Sequence, residues 1–296
     1  MKIILTGSLG HISKPLTELL AQKGHTITVV SSKPEKQKEI EVLGAKAAIG
    51  TVEDVKFLTE TFTGADAVYT MLPPPHFNDP NFEIMAHTRT LANNYAQAIQ
   101  QSGVKRVVHL SSIGAHLDKG TGLILFHKQV EDILNKLSDV NITFIRPVGF
   151  YYNLFVFVGG IKASGVISSN YGAEDVIPWV SPLDIAAAIS EEIVAPLNGK
   201  KVLYVASEEL TCNEVASILG AAIGKPDLQW LLISDQELLG RYESFGMNKA
   251  IAAGLVEMQS NMHNGPFYDD YYKHKPTLGK VKLTEFAKEF AAVFNQ

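Results

Sequence analysis

Met1-Lys2-Ile3-Ile4-Leu5-Thr6-Gly7-Ser8-Leu9-Gly10-His11-Ile12-Ser13-Lys14-Pro15 opens the chain, and its reading decides the fold. The apolar run Ile3 to Leu5 reads as a buried strand that breaks into a glycine-rich turn. Beyond the turn, Leu16, Leu19 and Leu20 repeat at helical spacing. A strand, a tight turn and a helix N-terminus together make a cradle for phosphate. Unpaired N–H groups and about half a positive charge from the helix dipole converge on one point there. Gly7 and Gly10 suit a backbone that turns sharply and approaches a pyrophosphate closely. Ser13 stands where a third glycine would allow close helix–strand packing, so a slightly displaced helix is expected. Thr6, Gly7, Ser8, Leu9, Gly10, His11 and Ile12 are the candidate contacts of this turn.

Working outward, strand-like runs recur at Ile3–Leu5, Ile27–Val30, Ala47–Ile49, Ala67–Met71, Val107–Leu110, Ile142–Ile145 and Val202–Val205. Helical patterns such as Leu16–Ala21, Val55–Phe62 and Ala92–Ile99 lie between them. This alternation predicts an α/β fold with a doubly wound parallel sheet. Later helix starts are marked by Ser181-Pro182-Leu183-Asp184 and by two capping-box patterns, Thr211 to Glu214 and Ser234 to Glu237. The expected division is a dinucleotide-binding domain over 1–150, with 182–205 returning to it. A smaller, mostly helical substrate-binding lobe then occupies most of 151–296.

The chain has 296 residues and a formal net charge of −5, which gives no electrostatic reason to expect nucleic acid or an anionic membrane as partner. One cysteine, Cys212, excludes an internal disulfide and a multi-cysteine zinc site. The longest apolar segment, Leu154 to Ile161, is far short of the ~20 residues that span a bilayer. A cytoplasmic, soluble protein acting on a small molecule is expected, with no metal and with its oligomeric state open.

The second strand runs into Ser31, Ser32 and Lys33, where an acid would bind the ribose hydroxyls of NAD. Two hydroxyls and an ammonium fit a 2′-phosphate instead, so NADP(H) is the preferred cofactor and NAD(H) the alternative. A solvated loop would have the same composition. His109 reads as a buried strand histidine; His76, and Glu83 with His87 four residues on, read as surface groups without a third metal ligand. The aromatic run Phe267 to Tyr272 fits either a cleft wall or a contact between lobes.

The fifth strand ends in His109-Leu110-Ser111-Ser112, and Ile124 and Lys128 share one side of the helix that follows. Here the chain resembles the short-chain dehydrogenase/reductase superfamily, in which a serine after the fifth strand joins a Tyr-x-x-x-Lys pair. Ser111 or Ser112 and Lys128 match, but Ile124 occupies the tyrosine position and has no proton to give. The departure resembles the atypical NmrA-like branch, to which Ile145-Arg146-Pro147-Val148-Gly149-Phe150-Tyr151-Tyr152-Asn153, Pro178 to Ala186 and His274-Lys275-Pro276-Thr277 also correspond. The resemblance covers nearly the whole chain.

It implies a Rossmann fold in which Lys128 contacts the nicotinamide ribose. Pro147 and Phe150 would flank the nicotinamide, Leu72 and Pro73 would cover it from the other side, and Tyr151 and Asn153 would line the substrate pocket. Lys128 is also the candidate catalytic base, which requires its pKa to be tuned down. The leading expectation is an NADPH-dependent reductase of a quinone-like or small carbonyl acceptor. The alternative is a non-catalytic sensor of NAD(P). Sugar epimerisation is disfavoured by the missing tyrosine.

Overall fold

The computed structural model describes residues 1–296. In chain order the strands are β1 (Lys2–Leu5), β2 (Thr26–Ser31), β3 (Lys46–Ile49), β4 (Ala67–Thr70), β5 (Arg106–Leu110) and β6 (Asn141–Pro147). They continue with β7 (Gly149–Phe150), β8 (Ile167–Ser169), β9 (Val176–Val180), β10 (Lys200–Val205), β11 (Glu208–Thr211) and β12 (Trp230–Leu232). The helices are α1 (Ser13–Gln22), α2 (Gln37–Val42), α3 (Val55–Phe62), α4 (Ile84–Ser102), α5 (Leu125–Leu134) and α6 (Val158–Ser164). After these come α7 (Pro182–Glu192), α8 (Cys212–Ala222), α9 (Asp235–Ser244), α10 (Lys249–Asn264), α11 (Asp269–Lys273) and α12 (Leu283–Phe294).

Seven strands form one parallel sheet in the order β10-β6-β5-β4-β1-β2-β3. The strand order reverses between β1 and β4, and the crevice at such a switch point is where open α/β sheets bind ligands. Side chains alternate across the sheet. Ile3 and Leu5 join one buried cluster and Ile4 the other, so both faces are covered. The doubly wound sheet is thus as the alternation predicts; β10 pairs with β6 at its edge, and Lys23, just past α1, donates to Ser190 of α7.

The C-terminal portion is mainly helical, as expected, and it also carries two small sheets, β11-β9-β7 and β12-β8. The larger core cluster of 44 buried residues runs from Ile3 through Trp179 to Phe290, so both regions share one interior. Caps fix the helix starts. Ser181 accepts from the Leu183 N–H, with Pro182 in the first turn. Thr211 and Glu214 form a reciprocal capping box, whereas Ser234 accepts from the Glu237 N–H without a recorded return bond. Cys212, in the first turn of α8, is fully buried, and burial first and Asp175 second push its thiol well above the usual range.

A buried charged cluster ties five elements at the β6 edge. Arg146 Nε and Nη2 donate to the two Glu131 carboxylate oxygens at 2.9 and 2.6 Å, and the side chains are only 8% and 5% exposed. Ser111 donates to Glu131 Oε1 at 2.5 Å, and Arg146 Nη1 donates to Tyr204 at 3.1 Å. Tyr204 donates to Asp270 of α11 at 2.5 Å. Burial opposes the guanidinium charge, and Glu131 and Tyr204 outweigh it, so Arg146 stays cationic.

At the other end of this layer α10 lies directly on the turn before α5. Gly122 has φ +50°, and a Cβ there would sit 1.8 Å from the Gly254 carbonyl oxygen. Asn248 caps α10 by accepting from Ala250 and Ile251. It also donates from its backbone to Phe77 and from Nδ2 to Asp79. That holds the long loop after β4 against the C-terminal region.

Arg146→Met strands a buried carboxylate and should cost about 3–5 kcal/mol in urea unfolding. Pairing it with Glu131→Leu should recover much of the loss, and two equal losses would contradict the coupling. Gly122→Ala should destabilise more than Gly24→Ala. Gly24 also has a left-handed φ, +78°, but its Cβ would meet nothing within 4 Å. The control should therefore show only the backbone strain of about 1–2 kcal/mol.

Candidate functional site

The carboxyl ends of β1 and β4 meet at the glycine turn. Gly7 has φ +92°, Ser8 has φ +53°, and a Cβ on Gly7 would fall 2.7 Å from Ser13 Oγ and 3.1 Å from Met71. Within the turn the Ser8 N–H donates to the Val30 carbonyl and the Gly10 N–H to the Gly7 carbonyl, which leaves the N–H groups of Leu9, His11 and Ile12 without a backbone acceptor and free for an anion. The α1 N-terminus has neither a side-chain cap nor an acid in its first turn. Its orphan N–H groups stay free of protein acceptors from side chains. A pyrophosphate suits this arrangement in charge and in the donors it offers. Ser13 donates to the Thr6 carbonyl at 3.0 Å, so the serine in the third glycine's place ties α1 back to β1.

Thr6 is buried. Its hydroxyl accepts from the Met71 N–H at 3.0 Å and from Tyr95 at 3.4 Å, which makes it a strut beneath the turn. Leu9 is half-buried, Gly10 and His11 are exposed and Ile12 is buried.

Ser31, Ser32 and Lys33 do lie together at the end of β2, but with different roles. Ser31 is 2% exposed, shares a 2.9 Å hydrogen bond with Ser8 Oγ and accepts from the Lys33 N–H. Its hydroxyl is therefore spent on joining the two turns, while Ser32 and Lys33 are exposed. Lys14 and Lys36 converge nearby on Glu39, at 3.9 and 2.6 Å. Sequence reading missed this basic cluster because it assembles from α1 and the β2–α2 turn.

The loop after β6 leans over the glycine turn. The Tyr152 ring stacks on His11, with centroids 4.8 Å apart and an interplanar angle of 26°. It also lies 5.0 Å from Phe150. Burial pushes the Tyr152 phenol up to about 12, so it stays protonated.

Tyr151 was the expected pocket residue and is not. It is 1% exposed, and its hydroxyl reaches Glu208 at 2.6 Å and the Val281 carbonyl at 3.2 Å. The 3-10 turn Tyr151–Phe157 rotates successive side chains by about a third of a turn, which sends Tyr151 inward. Asn153 is exposed. Leu72 and Pro147 are buried and Pro73 is exposed. Pro147 accepts from the Ile113 N–H and so fixes the β5 loop.

Of the two serines, Ser111 is consumed by Glu131, and Ser112 is half-buried without a recorded side-chain partner. Lys128 does not fit the base role. Its ammonium lies 2.6 Å from Asp132 and 3.5 Å from Asp118. Burial pulls its pKa down, the two carboxylates outweigh that, and the net shift is upward, away from neutrality. His109 is fully buried and bonds Thr70 through Nδ1 at 2.9 Å, and burial pushes it down to about 3. His76 and His87 flank Phe82, at 5.0 and 5.1 Å between centroids. The run Phe267 to Tyr272 forms a contact between regions: Asp270 accepts from Tyr204 of the sheet, and Phe267 packs where a Gly114 Cβ would lie.

A family profile described as NAD(P)H-binding matches residues 7–154, half of the chain and the half that holds this turn. Across 99% of both chains the protein is 23% identical to an NAD(P)H azoreductase of Xenophilus azovorans. Its fold is shared with the NADPH complex of an NADPH-dependent quinone oxidoreductase from Escherichia coli. That match has a TM-score of 0.80 at 20% identity, over 97% of this chain and 99% of the other. A triphenylmethane reductase from Citrobacter, complexed with NADP(H), matches with a TM-score of 0.76 at 20% identity, over 98% and 99%. With the glycine turn, the bare helix N-terminus and the profile match in one place, the chain belongs to the NAD(P)H-binding family.

Proposed function

We propose that the protein is an NADPH-dependent reductase of small, planar, electron-poor acceptors of the quinone type. The observation that carries this reading is the division of labour at the sheet edge. The glycine turn and the uncapped helix N-terminus suit a dinucleotide, and the tyrosine and free lysine of the usual acid/base pair are absent. Ile124 stands at the tyrosine position and Lys128 is ion-paired. Such a site suits an acceptor whose reduction needs orientation more than strong acid catalysis.

When bound, NADPH supplies the hydride. The glycine turn holds the pyrophosphate, and Ser32 and Lys33 hold the adenosine 2′-phosphate, with Lys14 and Lys36 adding positive charge. The partly exposed Met71, Ile124, Phe150 and Tyr152, which pack against the main core, supply apolar walls for a planar ring. The azoreductase relative and the quinone oxidoreductase neighbour both support an acceptor of this kind.

NADPH should be oxidised in the presence of a naphthoquinone or benzoquinone panel at a rate dependent on enzyme concentration. Turnover indistinguishable from the enzyme-free rate across the panel would reverse the reading in favour of a sensor. NADPH at about 100 times its dissociation constant should raise stability by ~2.7 kcal/mol in a thermal titration, and NADH should do less. Lys33→Glu should shrink or invert that preference, and equal shifts for the two cofactors in the parent protein would refute the 2′-phosphate assignment.

A further inference from the structure

Residue 127, one position before the lysine singled out by sequence, occupies a different environment. Glu131 reaches Ser111 at the end of β5, so this stripe of α5 faces the sheet. His127 lies on the same stripe, one turn earlier. Because α5 carries the chain back from the carboxyl ends of the strands, that turn places His127 about 6 Å nearer the edge where the site lies. Lys128, about 100° round the helix, points to Asp132 and Asp118 instead.

The imidazole of His127 is polarised by its surroundings. Its ring lies 4.3 Å from that of Phe126, and Nδ1 is sealed with no hydrogen-bond partner. Nε2 is neither sealed nor bonded to protein, and the residue is partly exposed. A sealed, orphaned N–H costs more than a sealed lone pair, so the ring proton belongs on Nε2, the nitrogen with an outlet. Burial, with His109 adding to it, pushes the ring's pKa down to about 3. The group at the edge is thus a neutral imidazole with one outward N–H donor. No protein acceptor takes that donor.

We propose that His127 is the catalytic hydrogen-bond donor of this site, its Nε2–H meeting the carbonyl oxygen of the quinone-type acceptor. The proposal rests on the reductase reading given above. When bound, NADPH would supply a hydride, its hydrogen leaving C4 of the nicotinamide with both bonding electrons to form the new bond on the acceptor, with NADP⁺ as the other product. His127 stabilises the negative charge that develops on the acceptor oxygen and keeps its own proton, and water supplies the proton that completes the hydroquinone. A neutral donor needs no reprotonation between turnovers, and its weak acidity matches a reaction in which the enzyme orients more than it protonates.

The test compares His127→Phe and His127→Gln in the full chain with the NADPH–naphthoquinone assay. Phe preserves the ring contact with Phe126 and removes the donor, while Gln places an N–H near the old Nε2 position. His127→Phe should lower kcat about 100- to 1,000-fold, the order of effect of losing one preorganised donor. NADPH affinity, read by quenching of protein fluorescence, should change less than about threefold, which also shows that the variant is folded. His127→Gln should restore at least a tenth of the parental kcat. A His127→Phe variant with parental kcat and intact NADPH binding would overturn the proposal while leaving the reductase reading standing. Equal losses in both variants would reduce His127 to a packing residue and overturn it as well. If the parent protein turns over no quinone, the reductase reading fails and this proposal fails with it.

Discussion

The bidentate contact between Arg146 and Glu131 is the interaction on which the other half of the sheet edge depends. It places a charge of each sign in the interior, and each is tolerable only because the other is there. Through it, β6, α5 and the end of β5 share one hydrogen-bonded knot, and Tyr204 and Asp270 extend that knot to β10 and α11. Apolar side chains of equal volume would hold these elements together at least as strongly. What the ion pair adds is registry, because a guanidinium fork fits a carboxylate in one orientation only. The angle of α5 on the sheet, and so the direction in which His127 and Lys128 point, follows from that fit.

The C-terminal region packs onto the parallel sheet through one shared interior and is not a separate body. Its aromatic residues join the same buried cluster as the first strand, and α10 reaches the two loops that leave β4 and β5. Both contacts rely on small or amide side chains. Gly122 and Gly254 let backbone lie on backbone, and Asn248 satisfies two helix N–H groups while holding two carbonyls of the distant loop.

Much of the fold was legible in the sequence because buried parallel strands leave short, uniformly apolar runs, and each of the seven that were read became a strand of the main sheet. The glycine turn was legible for a related reason: Gly7 occupies a backbone conformation that few other residues tolerate. The side-chain assignments were less secure. Tyr151 and Tyr152 are neighbours in an aromatic run, and only the pitch of the 3-10 turn decides which faces the interior. Lys128 and His127 are separated by about 100° of helix rotation, which composition cannot resolve. Ser31 looked like a phosphate ligand, yet its hydroxyl bonds Ser8, a partner 23 residues away. The clasp at Asn248 spans 169 residues and leaves no local pattern to read.

Cys212 gives the molecule a property unrelated to its chemistry. It is the only thiol in the chain, and it is sealed beneath α8 with its thiolate suppressed. Reagents that need thiolate react with it only after that region opens. The labelling rate of the unmodified protein is therefore a clock for opening of the C-terminal region, read at one atom and without any added probe. Because Cys212 shares one buried cluster with β1, the same clock run with and without dinucleotide measures how far binding at the glycine turn is felt across the shared interior.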